Sequence, residues 1–154
     1  MGKGKRAVQI SMSIYRIDED ATKRAVEKYL IEAREYQVTE YIPMEQKITA
    51  AYEPQFRDKY AVSSPVANIA IKNVDESERR SRHVDRAERA VNRLGTLQQQ
   101  LVRMRYLDDD NVSDTEVALQ LGYSDRHYRR IKSLAIYRLA NTLGLVVLVD
   151  EEAS

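Results

Sequence analysis

The sequence predicts a mainly α-helical protein ending in a helix-turn-helix, and three observations predict it. From Ser113 to Gly144 the chain spells two capped helices joined by a tight Gly-Tyr-Ser turn. From Ala21, and again from Pro65, apolar residues recur at intervals of three and four. Strand-like patterning is confined to the ends, at 8–14 and 145–149.

At the N-terminal end, Val8, Ile10, Met12 and Ile14 alternate with Gln9, Ser11 and Ser13. A lone strand needs a partner. Leu145 to Val149 is the other strong strand candidate, so the two ends either pair, within or between chains, or remain tails. Asp20 stands where it can cap a helix from Ala21 to about Tyr41, whose apolar face is Val26, Tyr29, Leu30, Ala33 and Tyr36. Pro43 is its expected stop. Signals from Met44 to Ser63 are mixed and read as loop with room for one short helix. Ser64-Pro65 then supplies a cap and a proline at the first helical position, opening a helix to Leu94.

The middle of that long helix, Glu76 to His83, is polar all round, which predicts a solvated, bridging or broken segment. Val84, Ala87, Val91 and Leu94 follow as a narrow seam suited to helix pairing. The arginines from Arg79 to Arg93 are offset by Glu78, Asp85 and Glu88. They read as a solvated face or, alternatively, as a DNA-backbone-contacting or dimer-forming one.

Gly95-Thr96 marks a break and a cap, after which Leu97, Leu101 and Met104 fall at helical spacing. Asp108-Asp109-Asp110-Asn111 closes that helix in a polar loop. Ser113 and Glu116 have capping-box spacing, and Val117, Ala118 and Leu121 share one face. Gly122 suits a left-handed helix end, Tyr123 a wedge between helices, and Ser124 the next cap. Tyr128, Ile131, Ala135 and Leu139 are the expected buried positions before Gly144. The organisation expected is an N-terminal helical and variable region (1–63), a connecting helix (64–95), the helix-turn-helix domain (96–149) and an acidic tail (150–154).

With Tyr128 and Ile131 turned inward, Arg126, His127, Arg129, Arg130 and Lys132 fall on or near the outer face. A recognition helix reads bases with its first turns in the major groove, so double-stranded DNA is the expected partner. Arg126, Arg129 and Arg130 are expected at bases or phosphates, because the guanidinium fork matches both. Lys132 is expected at phosphate, and Ser124 at a helix start whose N–H groups favour an anion. Asp125 either accepts from a cytosine amine or simply favours the helix N-terminus. His127 completes the set.

Leu101-Val102-Arg103-Met104-Arg105-Tyr106, an acidic loop and the helix-turn-helix together resemble region 4 of bacterial sigma factors over about a third of the chain. The charged helix opening at Ile17-Asp18-Glu19-Asp20-Ala21-Thr22-Lys23, Ser64-Pro65, and the endings Tyr128-Arg129-Arg130-Ile131-Lys132 and Leu139-Ala140-Asn141-Thr142-Leu143-Gly144 extend the likeness. In this respect the chain resembles the ArpU family of phage transcriptional regulators and is similar to the RinA late-gene activators. The resemblance implies a small cytoplasmic DNA-binding protein of the phage-infected bacterium that controls late or lysis-associated transcription, with host RNA polymerase as a partner, while the weak overall basicity separately points to dimerisation, as a homodimer, or to a partner protein.

Composition narrows the field. A length of 154 residues accommodates one or two small domains. Cysteine is absent, which excludes disulfides and Cys-type zinc sites and suits a reducing cytoplasm. No run of about 18 apolar residues predicts a membrane span. Met1-Gly2-Lys3-Gly4-Lys5-Arg6 is basic but leads into no long apolar core, so a signal peptide is not expected.

The net charge is only +1, yet acids and bases are segregated, so one face can meet a polyanion. His83 and His127 lie among arginines, which suits neither a metal site nor a poised base. The Asp108–Asp110 run lacks calcium-loop spacing. No catalytic motif, metal site or cofactor is expected. The competing reading, from a different class, is a helical phage packaging or assembly protein that forms a ring or large oligomer and binds DNA secondarily.

Overall fold

The computed structural model describes residues 16–45 and 65–150, and the expected strand at 8–14, the variable stretch at 46–63 and the tail beyond Asp150 lie outside them. The first helix, α1 (Glu19–Val38), is capped by Asp18, whose carboxylate accepts from the Ala21 N–H at 3.0 Å. Asp20, expected as the cap, instead lies in the first turn beside Glu19, where its charge complements the helix dipole. The helix stops before Pro43 is reached. Thr39 turns extended and gives its N–H to the Glu35 carbonyl. A β-branched residue settles readily into that extended geometry.

The two ends of the described chain meet. Ile17 and Leu148 form an antiparallel bridge, flanked by Asp18 N–H to Val147 O and Val149 N–H to Arg16 O, both 2.8 Å. Buried Thr22 locks it, because its hydroxyl accepts from the Val147 N–H at 2.9 Å. The bridge involves Ile17 rather than the expected 8–14 segment, which lies outside the described residues, and no strand forms among the described residues.

The next helix, α2 (Pro65–Asn92), runs unbroken through its polar middle. The sequence pattern missed what holds that segment. The α1 tyrosines present ring faces that accept cations and a histidine, so this polar face is packed (cation–π contact favours such pairings). His83 stacks on Tyr29 with centroids 3.7 Å apart and meets the edge of Tyr36. Its Nε2 lies 2.8 Å from the Tyr29 carbonyl. The Arg80 guanidinium sits 5.1 Å from the Tyr36 ring centre and 4.8 Å from that of Tyr41. Glu76 receives bonds from Arg79 and Arg80, and these hold its carboxyl down at about 2.

Helix α3 (Thr96–Val102) continues into one π-helical turn, 103–107, closed by Asp108 N–H to Arg103 O at 2.7 Å. The wider turn shifts the helical register. Leu101, Val102, Tyr106 and Leu107 are buried, whereas Leu97, expected on the inner face, is 51% exposed. Two further helices, α4 (Asp114–Leu121) and α5 (Asp125–Leu143), are the last among the described residues. One core joins all five helices: Val26 and Leu30 of α1, Ala90 and Val91 of α2, Leu101 of α3, Val117 of α4, and Ile131, Ala135 and Leu139 of α5 are among its members.

Candidate nucleic-acid interface

The helix-turn-helix is built as its residues dictate. Ser113 Oγ accepts from the Glu116 N–H at 3.2 Å, and the Glu116 carboxylate accepts from the Ser113 N–H at 3.0 Å. Both halves of the capping box are therefore formed. Gly122 adopts φ 71°, the left-handed conformation that ends α4. Tyr123 packs its half-buried ring on the core and meets the His127 ring edge-on at 4.8 Å. Ser124 caps α5 by accepting from the His127 N–H at 3.2 Å. Tyr128, Ile131, Ala135 and Leu139 are buried, and Gly144 ends the helix at φ 71°.

Their burial fixes what faces outward. Ser124, Asp125, Arg126, Arg129 and Arg130 are exposed, and His127 is half-buried. Arg126, Arg130, Ser133 and Tyr137 are spaced four, three and four residues apart, so they form one ridge along α5. Arg130 lies 3.2 Å from the His127 ring nitrogen, so the histidine helps set that guanidinium. Arg129 is turned toward a groove of about 560 Å³ between α5 and the start of α1. Ser133 and Tyr137 were not anticipated, although the same wheel that places Tyr128 inward places both outward.

Lys132 does not belong to this face. Its side chain is buried, with the residue 7% exposed, and Nζ lies 3.0 Å from both Asp114 carboxylate oxygens. The expectation of a phosphate contact there is corrected. The core-facing arc of α5 is wider than the Tyr128–Ile131–Ala135–Leu139 stripe, because Ile136, Ala140 and Leu143 are buried as well.

Asp114 is the residue that sequence reasoning missed. Besides Lys132, it accepts from the Tyr128 hydroxyl at 2.6 Å and from Arg105 Nε at 3.0 Å. One carboxylate at the start of α4 therefore ties α5 and the π-helical turn together. Burial pushes the Asp114 carboxyl up, but the bonds from Tyr128 and Lys132 and the charges of Lys132 and Arg105 outweigh it, and the group titrates below its ordinary value. Burial, reinforced by the bond to Asp114, raises the Tyr128 phenol. These partners lie 14 and 18 positions downstream, beyond any local pattern.

The acidic loop is anchored too. Arg34 of α1 donates to Asp110 at 2.7 Å and to the Leu107 carbonyl at 2.6 Å, and the Arg34 bond lowers the Asp110 pKa. Arg86 of α2 reaches the Leu143 carbonyl at the end of α5, at 3.1 Å. Of the arginines from Arg79 to Arg93, those at 79, 80, 82 and 86 donate hydrogen bonds within the fold.

No cluster of metal-ligating side chains occurs among the described residues, and none of their helices is long and apolar enough to cross a membrane. No family model and no solved structure matches the chain. Protein Gp66 of Listeria phage A118 is 30% identical to it over 95 residues. That alignment spans 62% of this chain and 63% of the phage protein, so the chain covers less than two thirds of that relative's length. The chain, which carries a helix-turn-helix in its C-terminal part, is thus similar in sequence to a protein of a Listeria phage.

Proposed function

We propose that this protein is a sequence-specific DNA-binding regulator of phage transcription, a late-gene activator, which docks α5 in the major groove. The observation that carries the reading is the exposure of Arg126, Arg129 and Arg130 on the first turns of a capped second helix, fixed by buried Tyr128 and Ile131. On this reading Arg126 and Arg130, on the crest, meet base edges, and Arg129, at the flank, meets phosphate. Ser124 and the first N–H groups of α5 favour a phosphate at the helix start. Resemblance to sigma region 4 makes host RNA polymerase the protein partner. The likeness to a phage protein supports the phage setting.

The test is recovery of bound genomic fragments followed by sequencing. One enriched site upstream of a block of genes supports regulation, and diffuse recovery speaks against it. On the recovered site, Arg129→Ala with Arg130→Ala weakens binding and flattens its salt dependence, since each phosphate contact contributes about 0.9 to the slope of log K against log salt. An unchanged slope in a folded variant overturns the face assignment.

One observation favours the assembly reading. Ile42, Met44, Ile71 and Val74 are all exposed at the end of the molecule where Met44 bonds Asn73. Light scattering separates the two readings: a ring or larger oligomer supports assembly, and a monomer or dimer supports regulation.

A further inference from the structure

The outward arginines of α5 are not held alike. Among the described residues, Arg126 and Arg129 have no side-chain hydrogen bond or ion pair, whereas Arg130 places Nη2 3.2 Å from His127 Nδ1. Arginine only donates, so Nδ1 is the acceptor and the proton of the neutral ring sits on Nε2. A spacing of three positions brings the two residues side by side on the helix surface.

His127 is itself fixed from two sides. Its backbone N–H donates to the Ser124 cap at 3.2 Å, and its ring meets the Tyr123 ring edge-on with centroids 4.8 Å apart. Tyr123 in turn packs on the buried core. A continuous line of contacts therefore runs from the core through the turn to the Arg130 guanidinium. A side chain held before binding loses less rotamer freedom on forming its contacts, and a planar fork held in one orientation meets its partner at one angle. Arg129, which is unheld, can follow a phosphate without that angular demand.

We infer that His127 is a positioning residue: it acts through Arg130, whose guanidinium it orients for a base edge, and Tyr123 supports it from the turn. The inference rests on the DNA-binding reading above and makes Arg130 the arginine whose base discrimination depends on the turn.

The test uses the full chain and two duplexes. One is the site recovered from the genome, and the other has the base pair exchanged whose identity Arg130→Ala ceases to read. The ratio of the two affinities is measured. His127→Ala is expected to lower that ratio about three- to tenfold, the range of one hydrogen bond, while the salt slope stays near wild type because no cation is removed. His127→Asn is expected to keep most of the ratio, because its side-chain oxygen can stand where Nδ1 stood. Tyr123→Leu keeps an apolar side chain but loses the ring edge, and is expected to lower the ratio as well. In an Arg130→Ala background, His127→Ala should change nothing further.

The same loss with and without Arg130 shows the histidine touching DNA itself or merely supporting α5, and overturns the inference. So does His127→Asn falling as far as His127→Ala, or Arg130→Ala discriminating as wild type does at every base pair. These results leave DNA binding standing, whereas failure of the wild type to bind any duplex removes both.

Discussion

Asp114 concentrates more of the helix-turn-helix in one side chain than any arginine does. Its carboxylate takes bonds from Tyr128, Lys132 and Arg105. Removing it strands the ammonium of a buried lysine, which is the costly way to break an ion pair. Because Asp114 is itself partly exposed, the cost is discounted for solvent screening. Asp114→Ala is expected to lose about 2 kcal/mol, read as a lowered urea midpoint.

Lys132→Met tests the reassignment of that lysine. A well-packed apolar replacement of a buried charge is often tolerated, but here it leaves Asp114 with Tyr128 and Arg105. Stability within about 1 kcal/mol of wild type and an unaltered DNA salt slope are expected. A slope lowered as far as by Arg129→Ala would return Lys132 to the proposed DNA face.

At the scale of the element, α4, the turn and α5 derive their geometry from local rules. Gly122 sits at φ 71° with nothing within 4 Å of where a Cβ would stand. Gly122→Ala therefore costs only backbone strain, about 1 kcal/mol, and differential scanning calorimetry should show a modestly lower midpoint with the fold intact. The caps, the glycine and the buried stripe of α5 are all legible in sequence, because each depends on neighbours three or four positions away.

The polar middle of α2 is the opposite case. Its stability comes from rings on another helix, so a scan of α2 alone sees only charge. His83→Ala removes the stack on Tyr29 and the contact with its carbonyl. It is expected to cost about 1–2 kcal/mol in chemical denaturation while leaving the proposed DNA binding within twofold of wild type. The π-helical turn at 103–107 is likewise invisible to a constant period of 3.6 residues, which is why Tyr106 and Leu107 are buried where only Met104 was expected.

Across the whole molecule, three carboxylates with lowered pKa values link separate elements. The bond from Arg103 lowers Glu88, the bond from Arg34 lowers Asp110, and Asp114 stays below its ordinary 3.8 despite its burial. Each is bound more tightly when ionised, so the folded state holds protons less readily than the unfolded one. Their stabilisation is fully present above the ordinary carboxylate range near pH 4 and disappears as pH falls through the lower folded values. Thermal midpoints should stay level with respect to these groups from pH 6 to 5 and decline below about pH 4. Asp110→Asn should make that decline shallower. A decline of the same steepness in the variant would remove Asp110 from the linkage.

By itself the sequence determined the helical class, the two caps and the left-handed turn of the helix-turn-helix, and which side of α5 holds Tyr128 and Ile131. All of these follow from interactions within a turn or two of chain. Only the tertiary structure decided that Lys132 lies inside, that Asp114 joins α4 to α5 and the π-helical turn, that His83 packs between helices, and that Ile17 pairs with Leu148. Those outcomes depend on side chains brought together from distant parts of the chain, where buried charge must find a partner and spacing along the sequence carries no signal.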